Sequence, residues 1–149
     1  MAAFTETGAP CGSNCHTLEW APSNWNSGSG DPALAWSTSD PFSGIETGYE
    51  IGYGFANTTA MLSDVSPAAT TVKAYRGGTK SDWFIPSKDE LDLMYVSAHA
   101  NSIGDFEASN YWSSTQRHRP NSWWEDFGTP SIGDWSKDNT LYVRPIRAF

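Results

Sequence analysis

Residues 115–135, TQRHRPNSWWEDFGTPSIGDW, bring cations, indoles and carboxylates close together in the chain. Gln116, Arg117, His118, Arg119 and Asn121 supply hydrogen-bond donors in series. Trp124 and Trp135 supply rings, and Asp126 and Asp134 supply carboxylates. Arginine beside an exposed tryptophan is a frequent anchor of protein interfaces, and an indole also stacks on a sugar ring. These nine residues form the candidate ligand-binding set.

Other combinations are weaker chemically. Ser113, Ser114, His118 and Asp126 can be drawn as a nucleophile set, but no nucleophile-elbow pattern surrounds either serine. The two serines are better placed to bond neighbouring backbone. Gly52-Tyr53-Gly54 follows no apolar strand and has no acidic partner at the spacing a phosphate loop requires, so backbone turning is the simpler account. Asp134, Asp138 and Asn139 offer oxygens to a hard cation such as calcium, against the simpler role of forming a turn. Cys11 and Cys15 flank Gly-Ser-Asn, which admits a small disulfide loop. A zinc site built on them with His16 lacks a fourth ligand.

The remainder of the chain has to position these groups. At 149 residues it has the length of one domain, 1–149, and 38% apolar residues with eight tryptophans suffice for a core. A net charge of −8 with nine Lys and Arg leaves no broad basic face for nucleic acid. No apolar run is long enough to enter a membrane, and MAAFTETGAP lacks the features of a signal peptide. Short strands and loops are expected over 1–48, including a strand at 17–20. A helix is expected at 56–62 with Asn57 as its cap or, in a secretory route, a glycosylation acceptor. A second should run from Pro67 through Tyr75. Trp83, Phe84 and Ile85 read as a buried strand stopped by Pro86. Ser87 and Glu90 then form a capping box for a helix whose apolar stripe includes Leu91, Met94 and Tyr95. Residues 110–115, 121–127, 132–137 and 140–149 read as an antiparallel meander. The class is α+β, with helices packed on a mainly antiparallel sheet.

The segments AYRGGTKSDWFIPSKDELDLMY, FEASNYWSST, DFG and LYVRPIRAF, in that order, resemble a bacterial domain family. The family includes the C-terminal domain of the Legionella collagen-like adhesin, and CGSNCHTLEWAPSNW and IGYGFANT resemble its first half. The resemblance implies a C-type-lectin-like fold, in which a sheet and helices hold a ligand-facing surface of loops and late strands. Formylglycine-generating enzymes share that broader architecture but need active-site cysteines that this chain lacks at corresponding positions. The Glu-Pro-Asn and Trp-Asn-Asp motifs of calcium-dependent lectins are also absent. The family's first strand has little counterpart in Met1–Phe4, so an edge of the sheet is expected to be open or covered by a second copy. By the resemblance, Trp123 and Phe127 match core positions. Alternation then turns Trp124 outward beside a 116–119 loop and buries Glu125, for which Arg144 or Arg147 is the expected partner.

Together these readings predict a non-catalytic recognition or adhesion domain, binding a glycan or protein through its C-terminal strands and loops. A structural subunit of a virion, pilus or other surface assembly is the alternative, with the same face buried in a homo-oligomer. An extracellular, cell-surface or virion setting is expected in either case.

Overall fold

Pro86 has no N–H to continue a strand, and the backbone turns there into a helix. In the computed structural model, which describes residues 1–149, Ser87 Oγ accepts from the Glu90 N–H at 3.3 Å. Glu90 Oε1 accepts from the Ser87 N–H at 2.8 Å. This reciprocal cap opens a 14-residue helix, Lys88–Asn101. The strand expected at 83–85 shortens to one bridge, Phe84 with Ile146. Ile85 instead donates its N–H to Thr58 Oγ1 at 2.9 Å.

The protein is α+β. Its elements in chain order are β1 (Leu18–Trp20), β2 (Ala33–Ala35), α1 (Gly54–Met61), α2 (Pro67–Ala74), α3 (Lys88–Asn101), β3 (Asn110–His118), β4 (Asn121–Asp126), β5 (Ile132–Ser136), β6 (Thr140–Tyr142) and β7 (Ile146–Ala148). In α2, Pro67 stands at the start, Ser66 Oγ caps the Ala69 N–H at 3.0 Å, and the helix stops one residue before Tyr75. Asn57 does not cap α1. It lies inside the helix, buried, and its amide bonds both the N–H and the C=O of Gly48, at 2.8 and 2.7 Å. Its carboxamide holds the 48 loop in place and is closed to glycosylation.

Only β3, β4 and β5 form the expected antiparallel meander. The five-stranded sheet runs β2-β6-β3-β4-β5, and β6 lies parallel to β3 rather than beside β5. Val143, Arg144 and Pro145 interrupt the C-terminal segment, so β7 leaves this sheet and pairs with β1. The break coincides with Arg144, whose side chain turns into the interior.

There Arg144 meets Asp31 through Nε–Oδ1 at 2.6 Å and Nη2–Oδ2 at 2.7 Å. Its remaining donors reach the carbonyls of Ala21, Gly104 and Asp105. The Tyr111 hydroxyl and the Trp25 indole N–H complete the carboxylate's partners. A second fully buried pair, Lys137 with Asp64 at 3.1 Å, closes the other end of the sheet. Two apolar clusters flank β3. One holds Trp36, Met61, Val72, Trp112 and Val143, and the other holds Phe84, Leu91, Met94, Tyr111 and Ile146. Cys11 and Cys15 form a disulfide, and the N-terminal segment is joined to that loop by a Phe4–Cys15 bridge.

Candidate functional site

The β3–β4 hairpin decides where the candidate residues go. Residues 116–118 are not a loop. Gln116 pairs with Ser122 and His118 with Asn121, which leaves only Arg119 and Pro120 to turn the chain. Two register irregularities, between Trp112 and Gln116 and between Gln116 and His118, re-aim the side chains near the tip.

On the face toward α3, the tip assembles Arg117, His118, Asn121, Trp123 and Asp134. The Arg117 guanidinium carbon lies 4.7 Å from the Trp123 ring centroid, and Lys88 Nζ lies 5.1 Å from it. Asn121 Nδ2 donates to Asp134 Oδ2 at 2.9 Å, with Arg117 Nε at 3.9 Å and His118 Nε2 at 3.8 Å from the same oxygen. The side chains of Arg117 and His118 are 46% and 52% exposed. Lys88 is set by the start of α3, where its own N–H donates to Thr115 Oγ1 at 2.9 Å. Lys88 and Arg117 are thus held near a π face, with His118 beside the same carboxylate as Arg117, and all three reach solvent.

Both tryptophans are partly buried, but the one that packs on the core is the reverse of that expected. Alternation holds, since Tyr111 faces Glu125 and Trp112 faces Trp124 across the hairpin. Trp124 is the one that packs against the core of Trp36 and Trp112. Its ring lies over Gly133, where an added Cβ would come within 2.6 Å of the indole. Trp123 is half-exposed and belongs to neither apolar cluster. Phe127, on the same face, is half-buried against Tyr95, Phe106 and Tyr111. Both faces of the sheet are covered, but beside Trp123 the cover is the polar first turn of α3.

The remaining members of the expected set are dispersed. Gln116 is structural: its Oε1 accepts from Lys137 Nζ at 2.7 Å and from the Ile45 N–H at 3.3 Å. Asp126 closes the next turn by accepting from the Gly128 N–H and the Thr129 hydroxyl. Arg119 lies over Gly44, beyond the hairpin tip. Trp135 is 47% exposed but sits opposite Ser122, on the other face from Arg117. Asp138 accepts from Ser136 Oγ and Asn139 donates to the Ser136 carbonyl, so both serve a turn. No three His, Cys, Asp or Glu side chains are grouped as metal ligands would be. Ser113 Oγ donates to the Trp123 carbonyl and Ser114 Oγ to the Pro86 carbonyl. Both serines are buried, and His118 faces Asp134 instead. The Gly52 N–H donates to Glu90 Oε2, and φ of +106° there makes this glycine a turning point.

Glu125 is buried as expected, but neither arginine is its partner. Arg144 is committed to Asp31, and Arg147 binds Asp82 through Nε–Oδ1 at 2.9 Å. Neither Glu125 oxygen has a hydrogen-bond partner. Burial and the neighbouring Asp92 push its carboxyl up to about 8, with Lys88 opposing. A second buried carboxyl was not anticipated from the sequence. Glu6 lies beside Glu90 and is pushed up to about 9 by burial and by that neighbour, although the Phe55 N–H donates to its Oε2. Lys88, Trp123 and the exposed Tyr49 and Tyr53 were also missed as surface candidates. The repeated Tyr spacing in GYEIGY was the available signal for the tyrosines. Lys88 carried none, because its position follows from the docking of α3. No helix is long and apolar enough to cross a membrane. Comparison of the chain with protein-family models and with curated proteins gave no match.

Proposed function

We propose that this chain is a non-catalytic recognition domain that binds a glycan or protein ligand at the tip of β3, β4 and β5. On this reading it has the C-type-lectin-like architecture of the bacterial family it resembles. The observation that carries the proposal is the half-exposed Trp123 with Lys88 and Arg117 over its ring, bordered by His118, Asn121 and Asp134. Of the nine Lys and Arg, Lys137, Arg144 and Arg147 are committed to buried or half-buried ion pairs. Lys88, Arg117 and Arg119 lie at or beside the hairpin tip, which makes it a local basic site on an acidic protein. A tryptophan and an arginine ringed by polar groups is a common composition for a binding hot spot.

The test is a glycan array together with affinity capture, comparing the native domain with Arg117→Ala and His118→Ala. A captured ligand should lose about tenfold or more in affinity in Arg117→Ala, the scale of a hot-spot truncation. A ligand that binds both variants as well as the native domain would move the site elsewhere. No ligand from either screen would count against recognition altogether. Calcium, added or chelated, is one arm of the same assay.

One observation favours assembly as a second reading. Strand β5 is an edge of the five-stranded sheet and carries the exposed Trp135 and Ile132. An open edge with apolar side chains suits pairing with another copy. Light scattering separates the readings: a monomer at micromolar concentration favours ligand recognition, and a stable oligomer lost in Trp135→Glu favours assembly.

A further inference from the structure

The far end of α3, about 20 Å of helix from Lys88, holds a cavity of about 320 Å³. Its walls are aromatic. Tyr95 meets Phe127 edge-on at 5.5 Å, and Phe127 lies 4.6 Å from Phe106. His99 stacks on Tyr95 at 5.3 Å, and Ala98, Ser102, Ile103 and Asp105 complete the lining. The cavity sits at the C-terminus of α3, where carbonyl oxygens concentrate partial negative charge. Asp105 is exposed, and its carboxylate makes no hydrogen bond or ion pair with the protein. The Tyr95 hydroxyl has no protein partner either, but it is open to solvent although most of the ring is buried.

The loop that supplies Asp105 and Phe106 is fixed from behind. Arg144 donates to the carbonyls of Gly104 and Asp105, and its guanidinium carbon lies 4.1 Å from the Phe106 ring centroid. The opposing charge is Arg144, which lies behind Phe106 and is matched by Asp31, while His99 contributes a ring to the lining. The net field at the cavity mouth is therefore set by Asp105 and the helix end, on a protein of net charge −8.

We propose that this cavity is a binding site for a small organic ammonium ion, such as a trimethylammonium or primary ammonium head group. Aromatic walls attract a cation through their π faces, a carboxylate at the mouth neutralises it, and methyl groups fill apolar volume that a hydrated metal ion would not. The site is separate from the β3–β4 tip, so it stands or falls independently of the recognition function proposed above.

The experiment is a titration of the isotope-labelled full chain, following the methyl resonances of Ala98 and Ile103 at the cavity. Three probes are compared: choline, its uncharged isostere 3,3-dimethylbutan-1-ol, and methyl galactoside. The proposal expects saturable shifts with choline and binding at least about fivefold weaker for the isostere, roughly the contribution of one partly exposed charge pair. Asp105→Asn should weaken choline by a similar factor, and asparagine tolerates the left-handed backbone of residue 105. Equal binding of choline and the isostere would make this an apolar cavity and overturn the proposal. So would saturation by the galactoside alone, or unsaturated shifts with every probe.

Discussion

Trp123 and Trp124 are adjacent in sequence and lie on opposite faces of one strand, with different surroundings. On the Trp124 face the buried charge is matched, and only the Ser122 hydroxyl lacks a partner. Lys137 Nζ reaches Asp64, Gln116 and the Ser43 carbonyl, and lies 4.6 Å from the Trp36 ring centroid. On the Trp123 face the matching is incomplete. Glu125 is buried without a hydrogen bond, Asp92 adds like charge, and Lys88 and Arg117 cover an indole that still reaches solvent. The contrast separates a face whose buried charges are paired from one that buries a carboxyl without a cation bonded to it. Unsatisfied groups concentrate where proteins bind ligands, because function tolerates local cost that the frame offsets.

The largest effect should come from breaking the matched face. Lys137→Ala leaves Asp64 buried and unpaired, which costs roughly 3–5 kcal/mol when a buried pair loses one member. Chemical denaturation should show a lower midpoint with an unchanged slope. A Lys137→Met variant keeps the volume but still orphans Asp64, so it should recover little. Full recovery in Lys137→Met would mean that packing on Trp36, rather than charge, is what this side chain supplies.

The tryptophans give the next and most direct comparison. Truncating a core aromatic costs about 3–5 kcal/mol when it is fully buried. Trp124 is half-buried against the Trp36–Trp112 cluster, so Trp124→Ala should fall near the lower end of that range. Trp123→Ala should cost about 1 kcal/mol, because the loss is a surface cation–π contact and partial burial. Equal losses would erase the distinction between the two faces.

This comparison also shows what the sequence could convey. The capping box, the Pro67 helix, the three-strand run and the alternation of SWWEDF were legible because each depends on neighbours within a few residues. The face that Trp123 occupies was not. Alternation says that Trp123 and Trp124 part, but which one meets the core depends on α3 and Trp36, distant in the chain. Arg144 and Glu125 were misread for the same reason. Both burials were deducible in kind, yet Arg144 finds Asp31 across 113 positions, a pairing no local pattern encodes. The parallel β6 escaped because its short strand reads the same in either direction. Four of the nine candidates came together in space, namely Arg117, His118, Asn121 and Asp134. Gln116, Trp124 and Asp126 were absorbed by the frame, where polar groups made obligatory bonds.

The two buried carboxyls with raised pKa predict how stability varies with pH. Glu125 has an ordinary value of 4.5 and is raised to about 8 in the fold. Between those values the folded chain retains a proton that the unfolded chain has released. Stability is therefore fullest below about pH 4.5 as far as this group is concerned, falls as pH rises toward 8, and levels off above it. Glu6, raised from 4.5 to about 9, acts in the same direction over a slightly longer window. Glu125→Gln should flatten part of the decline and melt higher than the native protein at pH 9. Parallel native and variant curves from pH 5 to 9 would show that Glu125 gains a partner when ionised, with Lys88 the nearest cation available.

The smallest expected change in stability is at the residue on which recognition depends most. Arg117 is about half exposed, its approach to Asp134 is 3.9 Å, and its contact with Trp123 is a surface cation–π pair. Exposed pairs of this kind contribute about 0–1 kcal/mol. Arg117→Ala should therefore unfold within about 1 kcal/mol of the native domain, while any ligand held at the hairpin tip loses affinity. Arg117→Lys sharpens the point. It keeps the charge but not the planar group that lies on an indole and forms paired hydrogen bonds. If binding needs only local positive charge, lysine restores it; if the guanidinium plane is what the ligand meets, lysine fails as alanine does. A large loss of stability in Arg117→Ala would instead assign this arginine to the frame and remove the distinction between the two faces at the position where it matters most for function.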